Sequence, residues 1–440
     1  MHTNTGLLRV LGIGFALAVV VGGAVGQGIM RTPGIVAGAV QWPALILLVW
    51  LAGGLIAAID AFALSELAAS HPCSGGPYGF ARRALGPMAG VLTAWADYIQ
   101  GTLGIAFVTI VFGEYLHRLG LLSDIPVAVL AAALILACGI INWTGTRFSG
   151  STQLIGTVTK AALLLLLVAL LFLAPRDPSP APVAPLDGAV GLAGVIIALR
   201  AATVTYSGWH GATYFCEEVR HPERTVARAL FGGLALITAL YVLVNAALLS
   251  AMTPAEIAAS NLPAADALAR AYGPATGLLT TVIALVSVMA ISNLQVMGYT
   301  RVMHAMARDG AMPHVLDGVH GRGTPRMSLL VTVTVSMILA ASGSYETLIA
   351  ASTVMGQLVF LTIDFAAIRL RLAEPDLPRP YRMPLFPLPA VLGIIVNIAL
   401  VSALVWEDPA SSLIGVVMLA IIAAGYGIAH LLRKGGPHTA

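Results

Sequence analysis

The residues with chemistry to offer lie inside apolar sequence. Gly22, Gly23, Gly26 and Gly28 crowd seven positions of the run 21–33. Each glycine costs a helix about 1 kcal/mol relative to alanine. A helix that breaks in hydrocarbon survives only where its freed backbone is buried in protein or lines a cavity. Amides at 26–28, opening a half-helix, suit an anion such as a carboxylate. The same glycines also suit close helix packing, and this stretch alone leaves both readings open. A phosphate-binding glycine loop fits worse, since no strand precedes it. A second polar island, Tyr206-Ser207-Gly208-Trp209-His210-Gly211, interrupts another apolar run.

Four charges also stand in apolar sequence: Asp60, Asp97, Lys160 and Arg200. A charge at mid-membrane costs about 3 kcal/mol on insertion scales, so each needs an interior and a partner. Asp97 and Lys160 sit at similar depth from the same side, which makes Asp97 a candidate partner for Lys160. Arg200 can snorkel, pair with an acid or face an access path; Asp60 has no evident partner. His210 offers a donor, an acceptor or a cation near neutral pH. It is either satisfied by neighbouring backbone, a reader of a ligand side chain, or a proton carrier. No nucleophile–base pair or metal-ligand cluster stands at one depth, so we expect no catalytic residue, no metal and no cofactor. Cys73, Cys138 and Cys216 are widely spaced and make no metal pattern.

The elements that must position these groups are membrane helices. The 440 residues are 58% hydrophobic and 10% charged, with mean hydropathy +0.90; a soluble protein carries roughly 25% charged residues. An all-α protein in a lipid bilayer follows, with no feature for nucleic acid. A crossing needs about 20 apolar residues. Twelve are expected, at 9–40 (broken), 42–69, 87–117, 124–143, 149–174, 188–219 (broken), 228–252, 274–304, 326–342, 346–370, 386–406 and 411–432. With the N-terminus inside, the inner loops and helix ends hold 17 arginines and lysines against 3 outside. That asymmetry places both termini in the cytoplasm. The proline-rich loop 175–187 separates spans 1–5 from spans 6–10. Five is odd, so the second set of five enters the membrane the opposite way. Interrupted segments at matching places in two halves point to a transporter binding site. The second break therefore favours the broken-helix reading of the first.

Several stretches together resemble the amino acid–polyamine–organocation superfamily, and within it the L-type amino acid transporters and their bacterial relatives. They are Gly26-Gln27-Gly28-Ile29, with Gln27 where that family has serine; Ser65-Glu66-Leu67 with Ser74-Gly75-Gly76-Pro77-Tyr78; and Gln153 followed by Thr157-Val158-Thr159-Lys160. Tyr206-Ser207-Gly208-Trp209 continues to Glu217-Glu218-Val219-Arg220-His221-Pro222, with His210 where asparagine is common. Asn293, Arg301, the run 305–310, and Arg379-Pro380-Tyr381-Arg382-Met383-Pro384 complete the pattern over nearly the whole chain.

The resemblance implies a leucine-transporter-type inverted repeat, 9–174 against 188–370, followed by spans 11 and 12 at 386–432. It places a substrate carboxylate at the amides of Gly26, Gln27 and Gly28. The amine would meet carbonyls near Val25, Val204 and Ser207, in a site completed by Tyr206, Gly208 and His210. In relatives with the span-5 lysine, its amine stands where sodium-coupled members hold sodium, so Lys160 argues against sodium. Asp97 matches an acidic L-type position. Glu217 and Glu218, with Arg220 and Arg224 nearby and Glu66 a candidate member, read as a structural or gating cluster. Asn293 reads as an interhelical hydrogen bond or a coupling residue. The expected function is amino acid transport across the cell membrane, by exchange or proton-linked uptake. Neutral substrates are favoured because neither break, 21–32 or 203–211, holds an acid. Cationic amino acids or polyamines are the alternative, and a transporter-like sensor the alternative of another class. Animal L-type transporters are disulfide-linked to a glycoprotein through the loop after span 3; here 118–124 has no cysteine, so no such partner is expected.

Overall fold

A computed structural model describes residues 7–26, 28–175, 191–342, 345–407 and 409–435. Gln27, Arg176 and nearly all of the proline-rich loop lie outside the described residues. The first glycine-rich run divides α1 (Ile13–Ala24) from α2 (Gly28–Val40), whose axes diverge by 47°. α3 (Pro43–Ser70), the short α4 (Pro77–Leu85), α5 (Pro87–Arg118), α6 (Val127–Trp143) and α7 (Thr146–Leu173) follow. The second interrupted segment is α8 (Leu192–Thr205) and then a 3-10 helix, Trp209–Tyr214. Next come α9 (Pro222–Ala251), α10 (Pro254–Ala259), α11 (Pro263–Tyr272), α12 (Gly277–Arg308), α13 (Arg326–Ser342), α14 (Tyr345–Ala373), α15 (Leu388–Glu407) and α16 (Pro409–Gly435).

Proline opens α3, α4, α5, α9, α10 and α11. Its fixed φ suits a first helical turn, where an amide hydrogen would have no helical partner. Among the described residues, eight helices are long and apolar enough to cross a bilayer. The bent pair α1–α2 makes a ninth, and Val127–Trp143, Arg326–Ser342 and Gly415–Tyr426 are shorter apolar stretches. The helices pack through small residues, as membrane helices do. On α3, Gly53 receives the Tyr206 ring and Gly54 receives Thr238 of α9, while Leu48, Leu51 and Leu55 point outward.

α3 lies along α9, α5 lies between α12 and α14, α7 supports α1 and α12, and α6 packs on α13. Helix limits sit within a few residues of those expected. The largest difference is α9, which begins at Pro222 rather than 228. The second break also differs in kind. No second α-helical half follows α8; the chain descends through the 3-10 helix and turns instead. α10 was legible and missed: Thr253 and Glu256 form a capping box, each side chain taking the other's backbone amide.

Candidate functional site: two helix breaks in contact

The two breaks meet backbone to backbone. At Gly208, φ is +97° and ψ −7°, a left-handed turn that glycine adopts without steric cost. A Cβ at Gly208 would meet the Gly23 carbonyl oxygen at 2.5 Å, and one at Gly23 would collide with the Gly208 carbonyl. Glycine at both positions is what allows this approach. Tyr241 of α9 ties the breaks together from the side, its hydroxyl 2.8 Å from the Ala24 carbonyl and 3.1 Å from that of Thr205. Thr205 also donates to the Thr32 hydroxyl, 2.8 Å away on α2. α2 begins at Gly28, so its first amides lack helical partners and carry the positive end of a helix dipole. α1 and α8 end here with carbonyls, the negative ends. Val25, Gly26, Tyr206 and His210 are buried, Val204 and Gly208 are partly exposed, and Ser207 is exposed.

Lys160, fully buried on α7, donates from Nζ to the Gly22 and Val25 carbonyl oxygens, each 2.5 Å away. A cation thus sits on the negative end of α1. Thr157, one turn earlier, donates to the Ala18 carbonyl at 3.0 Å. From there a chain of side-chain amides leads away: Gln153 Nε2 to Thr157 at 3.3 Å, Asn293 Nδ2 to Gln153 Oε1 at 3.1 Å, and Asn142 Nδ2 to Asn293 Oδ1 at 3.0 Å. Asn293 is therefore joined to the lysine's helix through named bonds that link α6, α12 and α7.

Asp97 and Lys160 do not pair. Asp97 accepts the Tyr214 hydroxyl at 2.8 Å, and that oxygen lies 3.1 Å from His210 Nε2. Asp97 Oδ2 and His210 Nδ1 are buried without a hydrogen-bond partner among the described residues. Phe360 of α14 closes over this group, stacked on Trp209 at 5.6 Å and edge-on to His210 at 5.1 Å. Tyr214, Tyr241 and Phe360 were not singled out from sequence, because an aromatic residue in an apolar span carries no mark of its neighbours.

The arginine-rich end of the bundle is closed by acids with partners other than Arg220 and Arg224. Glu218 and Arg301 form a buried pair with contacts of 2.9 and 3.1 Å, and Arg301 also donates to the Met297 carbonyl and Thr146. Glu217 takes both Arg308 nitrogens at 2.8 and 3.0 Å and the Ser74 amide at 3.0 Å. Burial raises the Glu217 pKa, but the Arg308 and Ser74 donors outweigh it and hold the carboxyl below the usual glutamate value. Glu66 stands apart with Arg371, Arg379 and the Met383 amide. The segment before α1 lies against this end, where Leu11 exchanges backbone bonds with Glu218 and Arg220. Cys73, Cys138 and Cys216 are buried and free.

The described helices thus form an apolar bundle in which two interrupted segments meet backbone to backbone and a lysine holds the end of one of them. The chain belongs to the amino acid permease family, whose profile matches residues 12–428, and so to a family of transporters, not enzymes. It is 28% identical over 429 residues to the large neutral amino acids transporter small subunit 2 of Mus musculus, covering 94% of this chain and 79% of that protein. Identity to the serine/threonine exchanger SteT of Bacillus subtilis (strain 168) is 27%, over 90% of this chain and 91% of that one. For the b(0,+)-type amino acid transporter 1 of Mus musculus it is 26%, over 92% and 85%.

Proposed function

We propose that the protein carries neutral L-amino acids across the cell membrane without sodium, by exchange or proton-linked uptake. One observation carries this reading: the positive start of α2 and the negative ends of α1 and α8 converge where Gly23 touches Gly208. A zwitterion needs that pair of poles. The carboxylate is assigned to the amides of Gly26, Gln27 and Gly28. The amine is assigned to the Val25, Val204 and Ser207 carbonyls, with Tyr206, Gly208 and His210 around the side chain. Val25 O already accepts from Lys160, and a carbonyl has a second lone pair to offer. Lys160 then supplies a resident positive charge at the break, and Asp97, Glu217 and Asn293 belong to coupling and gating. The names of the relatives, large neutral amino acids and serine/threonine, support neutral substrates.

An inverted repeat of 9–174 and 188–370, within twelve crossings, accounts for the paired contacts. α3 meets α9, α5 meets α12, and α6 meets α13; α7 on α12 is mirrored by α14 on α5. Both termini are assigned to the cytoplasm, and no disulfide-linked subunit is needed, since the three cysteines are buried. A cationic substrate is the second reading, favoured by the partnerless Asp97 Oδ2 near His210. Uptake into proteoliposomes with unlabelled competitors decides: alanine or serine competing best supports the first reading, arginine the second, and competition by no amino acid overturns both.

A further inference from the structure

A second group of buried acids lies away from the breaks. Asn397 of α15 directs its amide nitrogen at two carboxyls, 3.1 Å from Asp60 Oδ1 on α3 and 3.2 Å from Asp364 Oδ2 on α14. Asp364 and Asn397 are buried, and Asp60 is partly buried at the seam. Asp364 Oδ1 is enclosed with no hydrogen-bond partner among the described residues. The carboxyl rests on the bare Cα of Gly393, one turn before Asn397, where an added Cβ would come within 2.8 Å of its Cγ. The site is thus shaped on three helices: a donor on one, two acids on the others, and a glycine that leaves room for one of them.

Two carboxylates that share one amide donor cannot both stay ionised in apolar surroundings without a cation. Of the nearby cations, Arg371 and Arg379 are engaged on Glu66 and Arg83 on Glu374, and the Arg369 side chain of α14 is exposed. Among the described residues, α3 is packed by α2, α8, α9, α14, α15 and the 3-10 helix, and α14 by α3, α4, α5, α15 and α16. No lysine, arginine or histidine on those elements is among the groups acting on either carboxyl, which feel each other and Asn397. Of the other titratable groups there, Asp97 is bound by Tyr214, Tyr206 donates to the Trp50 carbonyl, and Tyr241 lies on the breaks.

We propose that Asp60, Asp364 and Asn397 form a proton-binding site separate from the amino acid site. One of the two carboxyls holds the proton, Asn397 donates to both, and the proton is taken up from water and returned to it during transport. The link to the breaks is mechanical. Asp364 lies one turn from Phe360, which covers Trp209 and His210, while α3 seats Tyr206 on Gly53. Deprotonation drives α3 and α14 apart, and these two helices clasp the second break. This coupling rests on the transport reading; the proton site itself does not.

Infrared spectroscopy of the whole protein in lipid vesicles tests the site, alongside uptake driven by an imposed pH gradient. At neutral pH the wild type should show a protonated-carboxyl stretching band that the D60N/D364N double variant lacks and D97N keeps. The double variant should also lose the response of uptake to the gradient. A double variant with the wild-type band, or a wild type without it whose carboxylate bands shift with sodium, overturns the proposal. If the double variant does not fold, D364N, matched in shape, carries the same comparison. If the wild type moves no amino acid, the transport reading falls and the band still decides the proton site.

Discussion

Lys160 ends on the last turn of α1, its ammonium shared between the carbonyl oxygens of Gly22 and Val25, each 2.5 Å away. It does for the end of α1 what a C-terminal cap does for a surface helix: it satisfies orphan carbonyls and places positive charge on the negative pole. The break and the lysine are therefore one device. α1 can stop at Ala24 inside the protein because α7 supplies the missing donors.

Replacing Lys160 by alanine should lower transport more than it lowers substrate binding. The variant leaves two buried carbonyls without their donor, at about 1–3 kcal/mol for each group left unsatisfied. The amides of α2 that are assigned to the carboxylate remain. Proteoliposome uptake compared with a substrate-induced thermal shift separates the two effects. Uptake at the wild-type rate would reduce the lysine to a structural pin between helices.

Gly208→Ala should abolish uptake and lower the unfolding temperature, and Gly120→Ala is its control. Both glycines are left-handed: Gly208 has φ +97° and ψ −7°, and Gly120 has φ +69° and closes α5 with its own amide on the His117 carbonyl and that of Leu121 on Leu116, so each variant bears a left-handed strain of roughly 1 kcal/mol. A Cβ at Gly120 meets nothing within 4 Å, whereas one at Gly208 meets the Gly23 carbonyl. The difference between the two melting temperatures therefore reports the contact between the breaks. Equal losses would mean the contact contributes nothing.

How much of this was legible depends on what kind of mark a residue leaves. Glycines clustered in an apolar run, and a polar island in another, marked the breaks because hydrocarbon tolerates neither without a reason. Lys160, Asp97 and Asp60 stood out as charges in spans, and the same rule would have flagged Asp364, which lies in an equally apolar stretch. The pairings were not legible. Depth suggested Lys160 with Asp97, but depth does not fix which way a side chain faces around a helix; the lysine turns to α1 and the acid to Tyr214. Glu217 and Glu218 were read with arginines near in sequence, and their partners, Arg308 and Arg301, lie over 80 residues away.

Acid should loosen the arginine-rich end through Glu217. Its folded pKa lies below the ordinary value of 4.5 because Arg308 and the Ser74 amide outweigh its burial. The unfolded chain then takes up the proton first as pH falls. Stability from this group is fully present above the unfolded value near 4.5 and is lost as pH falls through the lower folded value. The unfolding temperature of the wild type should drop across that window, and Glu217→Gln should show a smaller drop. An identical drop in the two proteins would remove Glu217 from the account.

The size of the ligand side chain should be set at His210. At the second break the chain places an imidazole that touches Tyr214 at 3.1 Å and meets the edge of Phe360. Three elements therefore hold the ring: the second break, α14 through Phe360, and α5 through the bond from Tyr214 to Asp97. A ring so held cannot swing aside for a bulky ligand, and a wall that clashes with large substrates selects by repulsion. We assign the same role to Gln27, a longer side chain than serine at the first break. The wild type is therefore expected to prefer alanine, serine or valine to tryptophan. His210→Asn removes ring atoms from the contact with Phe360, and Gln27→Ser shortens that side chain. Each should raise uptake of bulky neutral amino acids relative to alanine, measured as a changed ranking in a competitor panel. A wild type that takes up tryptophan better than alanine, or a ranking left unchanged by both substitutions, would show that neither side chain bounds the site.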